Sequence, residues 1–398
     1  MARQSPSPPL FLNTIKITRY AIVLLATCSV SAAAQLPDFS WDTVPRYMHV
    51  RKATAFSPEE VEYLATFPLI TFEKTTGARE FGGTEAGTVQ AAKAIKALNP
   101  HTKILYYRNI LVHYSTYLAN AQLAKIPGAF LADEKGNQKL VRKSVRAYDL
   151  SNPAVQSWWL THAKQACRSP YIDGIFVDGN IKALETSYLL GYVGKAKKQA
   201  VTEGYHRIMK QLRAEIGSES LILANIIRAR FDNAGLEYIE PFDGSYTEGF
   251  EHAVAGMSRE DYIAKGIAAV QSAARSGKII AFTMTKGSYT DTDMDMEPSQ
   301  SSSKEFASPV NRFTYALALF LICAERHSYF MFNDGYGVDN GRSMIWMKDI
   351  PEYRYPLGAP KGEATQEGYV YQREFQHASV MVDIKRETAE IIWKQVKQ

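Results

Sequence analysis

Short apolar runs alternate with longer segments of helical period along most of the chain, and eight such runs stand out. They are VPRYMHV (44–50), PLITFEK (68–74), KILYYRNI (103–110), DGIFVDG (173–179), LILANII (221–227), GSYTEG (244–249), KIIAFTMT (278–285) and SYFMFND (328–334). Several are apolar at both odd and even positions, the pattern of strands covered on both faces. The segments between them carry helix start signals. Ser57-Pro58-Glu59-Glu60 reads as a capping box with proline at the first helical position. Asn152-Pro153 opens the helix that carries Trp158 and Trp159, whose rings are expected to pack helix on sheet. Ser258 with Asp261, and Ser308-Pro309, open two more. Eight strands with helices between most of them predict a (β/α)8 TIM barrel. A doubly wound open sheet is the competitor, but no glycine-rich phosphate loop follows the first run.

After Asp334 the repeat stops. GYGVDNGRSMIW and PEYRYPLGAPKG read as loop, and YVYQREFQ, ASVMVDIK and TAEIIWK as a small C-terminal antiparallel β-sheet. The expected organisation is a barrel over 35–348, with the loop and small sheet of 349–398 packed on it. Residues 1–34 stand apart. They carry Arg3, Lys16 and Arg19, no acid, and an apolar run from Ala21 that is too short to span a bilayer and ends in Ala32-Ala33-Ala34. That is the pattern of a signal peptide, so a secreted or periplasmic protein without stable membrane insertion after cleavage is expected. Thr27 before Cys28 argues against a lipoprotein site. Loss of the leader removes three of the positive charges behind the formal net charge of +5 and leaves the chain near neutral. With no lysine-arginine block interleaved with aromatics, no nucleic-acid partner is expected. Cys167 and Cys323 read as buried thiols, too few for a disulfide framework.

In such a barrel the chemistry sits at the carboxyl ends of the strands. Those ends carry Glu73-Lys74, Tyr107-Arg108-Asn109 with His113 and Tyr114 beyond, Asp178, Asn225 with Arg228, Glu248, and Asn333-Asp334. A ring of acids, amides and aromatics suits a carbohydrate better than a metal or a phosphate. Glycosidic cleavage needs one ionised carboxylate and one protonated carboxyl. Asp178 and Glu248, one strand apart, are the candidate catalytic pair, Asp178 as nucleophile or base and Glu248 as general acid. A gap of ~5–5.5 Å goes with a retaining mechanism and ~6.5–9.5 Å with an inverting one; retention is the expectation. Glu73, Tyr107, Arg108, Asn109, His113, Asn225, Arg228, Tyr246 and Asp334 are candidates for holding the glycan, and Tyr106 and Tyr114 join Tyr107 and Tyr246 as possible stacking faces. No cofactor or metal is expected. DTDMDME (291–297), with Asp291, Asp293, Asp295 and Glu297, lacks the glycine and spacing of an EF-hand loop. His49, His113, His206, His252 and His327 show no metal-ligand spacing, and no G-x-S-x-G elbow occurs. A noncatalytic glycan-binding barrel is the alternative.

The segments ILYYRNILVHY, DGIFVDGN, YTEGF and YQREFQHASVMVDIK resemble, in that order, those of a group of secreted TIM-barrel proteins catalogued as hypothetical glycosyl hydrolase family 15. The resemblance covers most of the chain after the leader and implies the barrel and glycoside hydrolysis, leaving the sugar open. A second similarity is to barrel glycosidases of the α-galactosidase and dextranase kind. They place an aspartate nucleophile after strand four and an acid after strand six, which Asp178 and Glu248 match in kind and order. Enzymes with paired glutamates after strands four and seven fit less well, because strand seven here ends on Thr283, Thr285 and Lys286.

Overall fold

The computed structural model describes Met1 and residues 34–251, 254, 256–285, 309–339 and 345–394. The leader, His252, Lys286, the acidic run 291–297 and Ser308 lie outside them. Each of the eight apolar runs contains one strand: β1 (Tyr47–Val50), β2 (Leu69–Phe72), β3 (Lys103–Asn109), β4 (Gly174–Asp178), β5 (Leu221–Asn225), β6 (Gly244–Thr247), β7 (Ile279–Thr285) and β8 (Ser328–Asn333). Neighbours pair in parallel and in chain order. Between β8 and β1 the ring is brought nearly to closure at two levels. Phe330 N–H donates to the Pro45 carbonyl at 2.8 Å, and past the strand ends Arg51 N–H donates to Tyr336 O at 2.8 Å. The second contact folds the loop after β8 back over the mouth.

Local chemistry sets the element boundaries. Ser57 and Glu60 exchange the two bonds of a capping box, Ser57 Oγ accepting from Glu60 N–H and Glu60 Oε2 from Ser57 N–H. Asn152 and Ser258 likewise accept from the first turn of their helices. The Asp-Gly pairs that open β4 and β6 repeat one device. Asp173 accepts from Ile104 N–H at 2.8 Å, and Asp243 from Ile222 N–H at 2.6 Å, so each carboxylate ties its strand start to the preceding strand.

The helix Pro153–Cys167 packs on the outside of β3 and β4 through its tryptophans. Trp159 is fully buried and donates its indole N–H to the Asn109 carbonyl at 3.0 Å; Trp158 does the same to Ala119 O. Burying a ring of that size contributes about 4 kcal/mol by area, while the indole bond removes the cost of hiding its N–H. Cys167 is half-buried and Cys323 buried, both as free thiols. Burial pushes the Cys167 thiol up to about 12, so it is protonated and unreactive at neutral pH.

The terminal sheet has one strand more than its sequence suggests. β9 (Thr365–Glu367) pairs with β10 (Val370–Glu374), followed by β11 (Ala378–Asp383) and β12 (Thr388–Trp393), all antiparallel. The sheet packs on the helix Pro309–Cys323, and Arg373 reaches under it to the Leu321 carbonyl at 3.2 Å and to Glu325 at 2.9 Å. A buried ion triad ties it to the barrel as well. Glu251, in the loop after β6, is gripped by Arg312 and Arg259, and Arg259 also donates to Ile384 O in the chain leaving β11.

Candidate active site

Alternation along the strands decides which side chains enter the barrel. Tyr107 and Asn109 on β3 and Phe176 and Asp178 on β4 share one parity, as do Tyr246 and Glu248 at β6. Below the acids these positions form an aromatic floor. The His49 ring lies 5.0 Å from Phe176, 5.2 Å from Tyr246 and 4.9 Å from Tyr336, and Tyr107 stacks on Phe176 at 5.8 Å. Burial lowers the His49 imidazole to about 4, with the neighbouring charges of Glu73, Lys74, Asp178 and Arg51 partly offsetting one another, so it is neutral at physiological pH. Its tautomer follows from the bonds around it. The Tyr47 hydroxyl donates to Thr71 Oγ1 at 2.6 Å, so it can only accept from His49 Nδ1 at 3.3 Å. Nδ1 therefore carries the proton, and Nε2 is an acceptor.

Asp178 is the end of β4, and the residue after it explains its setting. Gly179 has φ +82°, and a Cβ there would come within 2.5 Å of Asn109 Oδ1. The glycine lets Asn109 close on the turn, where its Oδ1 accepts from Leu111 and Val112 N–H and its Nδ2 donates to Asp178 Oδ2 at 3.1 Å. The Tyr107 hydroxyl donates to the same oxygen. Burial and the nearby Asp178 charge raise Tyr107 well above its ordinary value, so the phenol remains a donor.

Glu248 follows β6 and is partly exposed. Tyr336 donates to its Oε1 at 2.8 Å, and Arg228 lies 3.4 Å from its Oε2. With its proton committed to Glu248, Tyr336 accepts from Tyr246 at 2.5 Å, giving a relay Tyr246–Tyr336–Glu248. Asn225 joins the two acids: its Nδ2 lies 3.4 Å from Asp178 Oδ1 and 3.1 Å from Glu248 Oε2. Those two oxygens are consequently no more than about 6.5 Å apart, the sum of the two distances.

Of the residues expected at the mouth, the structure gathers Asp178, Glu248, Tyr107, Asn109, Asn225 and Arg228. Tyr246 comes with them as buried floor, its ring closed off from any stacking role by His49 and Phe176. Glu73 is buried at the rim and ion-paired to Arg51 at 2.8 Å and to Lys74, whose ammonium sits 5.1 Å from the Tyr107 ring and 4.9 Å from that of Tyr114. Burial works to raise the Glu73 carboxyl, yet these two cations hold it below its usual value. His113 turns to Phe130 and Tyr148 in the long loop after β3, and Asp334 is half-buried just past β8. Arg108 and Tyr106 are not at the mouth. They have the opposite parity to Tyr107, and the Arg108 guanidinium lies 4.9 Å over Trp158 in the outer helical layer. Arg108 therefore holds helix to sheet and is in no position to clamp substrate. Three consecutive strand residues cannot all face one way.

Sequence reasoning missed Tyr336 and His49. The loop bond to Arg51 that brings Tyr336 over the mouth leaves no local pattern, although its place two residues after Asp334 was a usable signal. A cavity of about 630 Å³ opens at the other end of the barrel, lined by Pro45, Pro68 and Tyr353 among others. Asp349 there is engaged by Arg354, and the two carboxylates of the mouth have no part in it. Among the described residues, no three His, Cys, Asp or Glu side chains are grouped to hold a metal, and no helix is long and apolar enough to cross a membrane.

A paired-acid mouth on a parallel barrel is the setting in which the family comparison falls. The model of hypothetical glycosyl hydrolase family 15 matches residues 96–379, from before β3 to within β11. The chain belongs to that family. It is thus a glycoside hydrolase, and a carbohydrate is its substrate. No curated protein matches the chain. Among solved structures it is similar to an Anoxybacillus α-amylase at 11% identity and TM-score 0.47, covering 86% of this chain and 87% of that one. It is also similar to a GH36 α-galactosidase from Geobacillus stearothermophilus at 10% identity and TM-score 0.47, over 87% of this chain and 48% of that one. The glycoside hydrolase domain of Pseudomonas aeruginosa PelA is similar at 11% identity and TM-score 0.39, over 60% and 83%.

Proposed function

We propose that this family member is a retaining glycosidase acting on a poly- or oligosaccharide, with Asp178 as nucleophile and Glu248 as general acid and base. The observation that carries the reading is the Asn225 amide, in reach of both acids at 3.4 and 3.1 Å. The resulting ceiling of about 6.5 Å between two of their oxygens favours the ~5–5.5 Å spacing of retaining enzymes over the ~6.5–9.5 Å of inverting ones. Asp178 accepts from three neutral donors, Tyr107, Asn109 and Asn225, which fix the carboxylate in place for attack. Glu248 is partly exposed, which suits a group that must exchange its proton with solvent between steps.

In the first step an Asp178 oxygen attacks the anomeric carbon and forms a glycosyl ester. The glycosidic C–O bond breaks, and the departing oxygen takes the Glu248 proton. In the second, Glu248 accepts a proton from water, whose oxygen attacks the anomeric carbon and returns Asp178 as carboxylate. Asn225, between the two groups, holds their spacing in both steps, and Tyr336 fixes the rotamer of Glu248. The leader-like pattern of residues 1–34 supports a site of action outside the cytoplasm.

The test is to incubate the full chain with plant, algal and microbial glycans, then follow released sugars and their anomeric configuration by NMR. Asp178→Asn is expected to abolish turnover and Glu248→Gln to lower it by on the order of 10²–10⁴, with the product first appearing in the substrate's own configuration. Undiminished activity in a folded variant removes that residue from its role, and an inverted product removes the nucleophile.

A further inference from the structure

The floor beneath the acids contains polar atoms that the fold itself leaves unsatisfied. Among the described residues His49 Nε2, Asn225 Oδ1 and Asn333 Nδ2 are buried and lack a hydrogen-bond partner. Buried polar groups are nearly always paired, because leaving one unmet costs about 1–3 kcal/mol. Three around one mouth call for a common explanation.

His49 on β1 and Asn333 on β8 both stand near the carboxyl ends of adjoining strands. Arg46 and Phe330 bridge β1 to β8 in parallel, and Arg51 and Gly337 do so two residues further along in register, so His49 falls level with Asn333 or with the turn just past it, with the same inward parity. His49 N–H at 3.1 Å from the sulfur of Met331 agrees with that register. The charged groups around the imidazole are Glu73, Lys74, Asp178 and Arg51, all of the mouth. The two atoms differ in kind. Nε2 is a lone-pair acceptor, since Nδ1 holds the proton, and Asn333 Nδ2 is a donor whose companion Oδ1 already accepts from Gly335 N–H at 3.0 Å. An acceptor beside a donor is the complement of an alcohol, which gives and takes one hydrogen bond through a single oxygen.

We propose that His49 and Asn333 form a specificity subsite that reads hydroxyl groups of a neutral pyranose lodged against the Asp178–Glu248 pair. The inference rests on the carbohydrate reading of the same mouth and adds which side chains choose the sugar. Neutrality follows from the charge count: among the described residues at the mouth, Arg51, Lys74 and Arg228 stand against Glu73, Glu248 and Asp178. A uronate carboxylate would add a further negative charge beside Asp178.

The experiment is a thermal-shift titration of the full chain with D-glucose, D-galactose, D-mannose and D-glucuronate, which reads binding without turnover. At least one neutral hexose is expected to raise the melting temperature, and glucuronate to leave it unchanged. His49→Leu, close to imidazole in volume, is expected to weaken that hexose about tenfold, the loss of one buried hydrogen bond. Its ligand-free melting temperature should not fall at neutral pH. His49→Gln, which restores an acceptor, should recover part of the binding, and Asn333→Ser should weaken it as His49→Leu does. Equal hexose affinity in wild type, His49→Leu and Asn333→Ser would overturn the subsite while leaving the carboxylate pair to its own hydrolysis test. Preference for glucuronate would overturn the neutral-sugar assignment, and failure of every sugar to bind wild type would overturn the proposal whether or not glycans are cleaved.

Discussion

Acidification offers a direct way to weigh the buried imidazole of the floor. His49 is lowered from 6.5 to about 4, with burial as the main cause. The unfolded chain therefore takes up this proton before the folded protein does. The stabilisation is fully present above about pH 6.5, declines as pH falls toward 4, and is flat below that. A difference of about 2.5 units at 1.36 kcal/mol each makes the loss about 3 kcal/mol. The assay is urea unfolding at several pH values between 7.5 and 4 for wild type and His49→Leu. His113, also lowered to about 4 by burial, adds a slope of the same sign in both proteins and cancels in the difference. Stability of the variant relative to wild type is expected to rise by about 3 kcal/mol across that range. Parallel curves would refute the reasoning, because they would mean the folded protein accommodates the charged ring as readily as water does.

Other outcomes follow from single contacts. Gly179→Ala forces a Cβ into Asn109 at positive φ and should cost about 2–4 kcal/mol from backbone strain plus displaced hydrogen bonds, read by thermal melting, with hydrolysis falling further as Asn109 leaves Asp178. Arg312→Met leaves the Glu251 carboxylate buried against a single arginine and should destabilise by about 3–5 kcal/mol, measured by urea unfolding at pH 7. N-terminal sequencing of protein recovered from an expressing culture's extracellular or periplasmic fraction should begin at Gln35; a first residue within 1–34 would refute cleavage after Ala34.

The barrel was legible because strands covered on both faces must be apolar throughout, as runs such as LILANII and KIIAFTMT are. The helix starts at Ser57, Asn152 and Ser258 were equally plain, since a cap is a local contract between residues two or three apart. β9 was not legible: Thr365–Glu367 are all exposed, and pairing to β10 alone holds them in place. At the mouth, residue type and strand end were enough to bring out Asp178, Glu248, Asn109 and Asn225. The same double-sided cover that reveals a strand conceals its parity, which is how Arg108 came to be grouped with Tyr107 and Asn109. His49 and Tyr336 depend on contacts across nearly three hundred residues of chain, and no window along the sequence holds both ends of such a contact.

The Arg259–Glu251–Arg312 triad has a consequence for when the enzyme can first work. Arg259 holds with one hand the loop three residues past Glu248 and with the other the Ile384 carbonyl in the chain leaving β11. A ribosome-bound or prematurely terminated polypeptide already contains every acid of the mouth, yet the brace on that loop is incomplete until the last strands have emerged. Copies cut before Ile384 should therefore be idle as well as fragile, and the small sheet acts less as an appendage than as the brace that sets the mouth's loop.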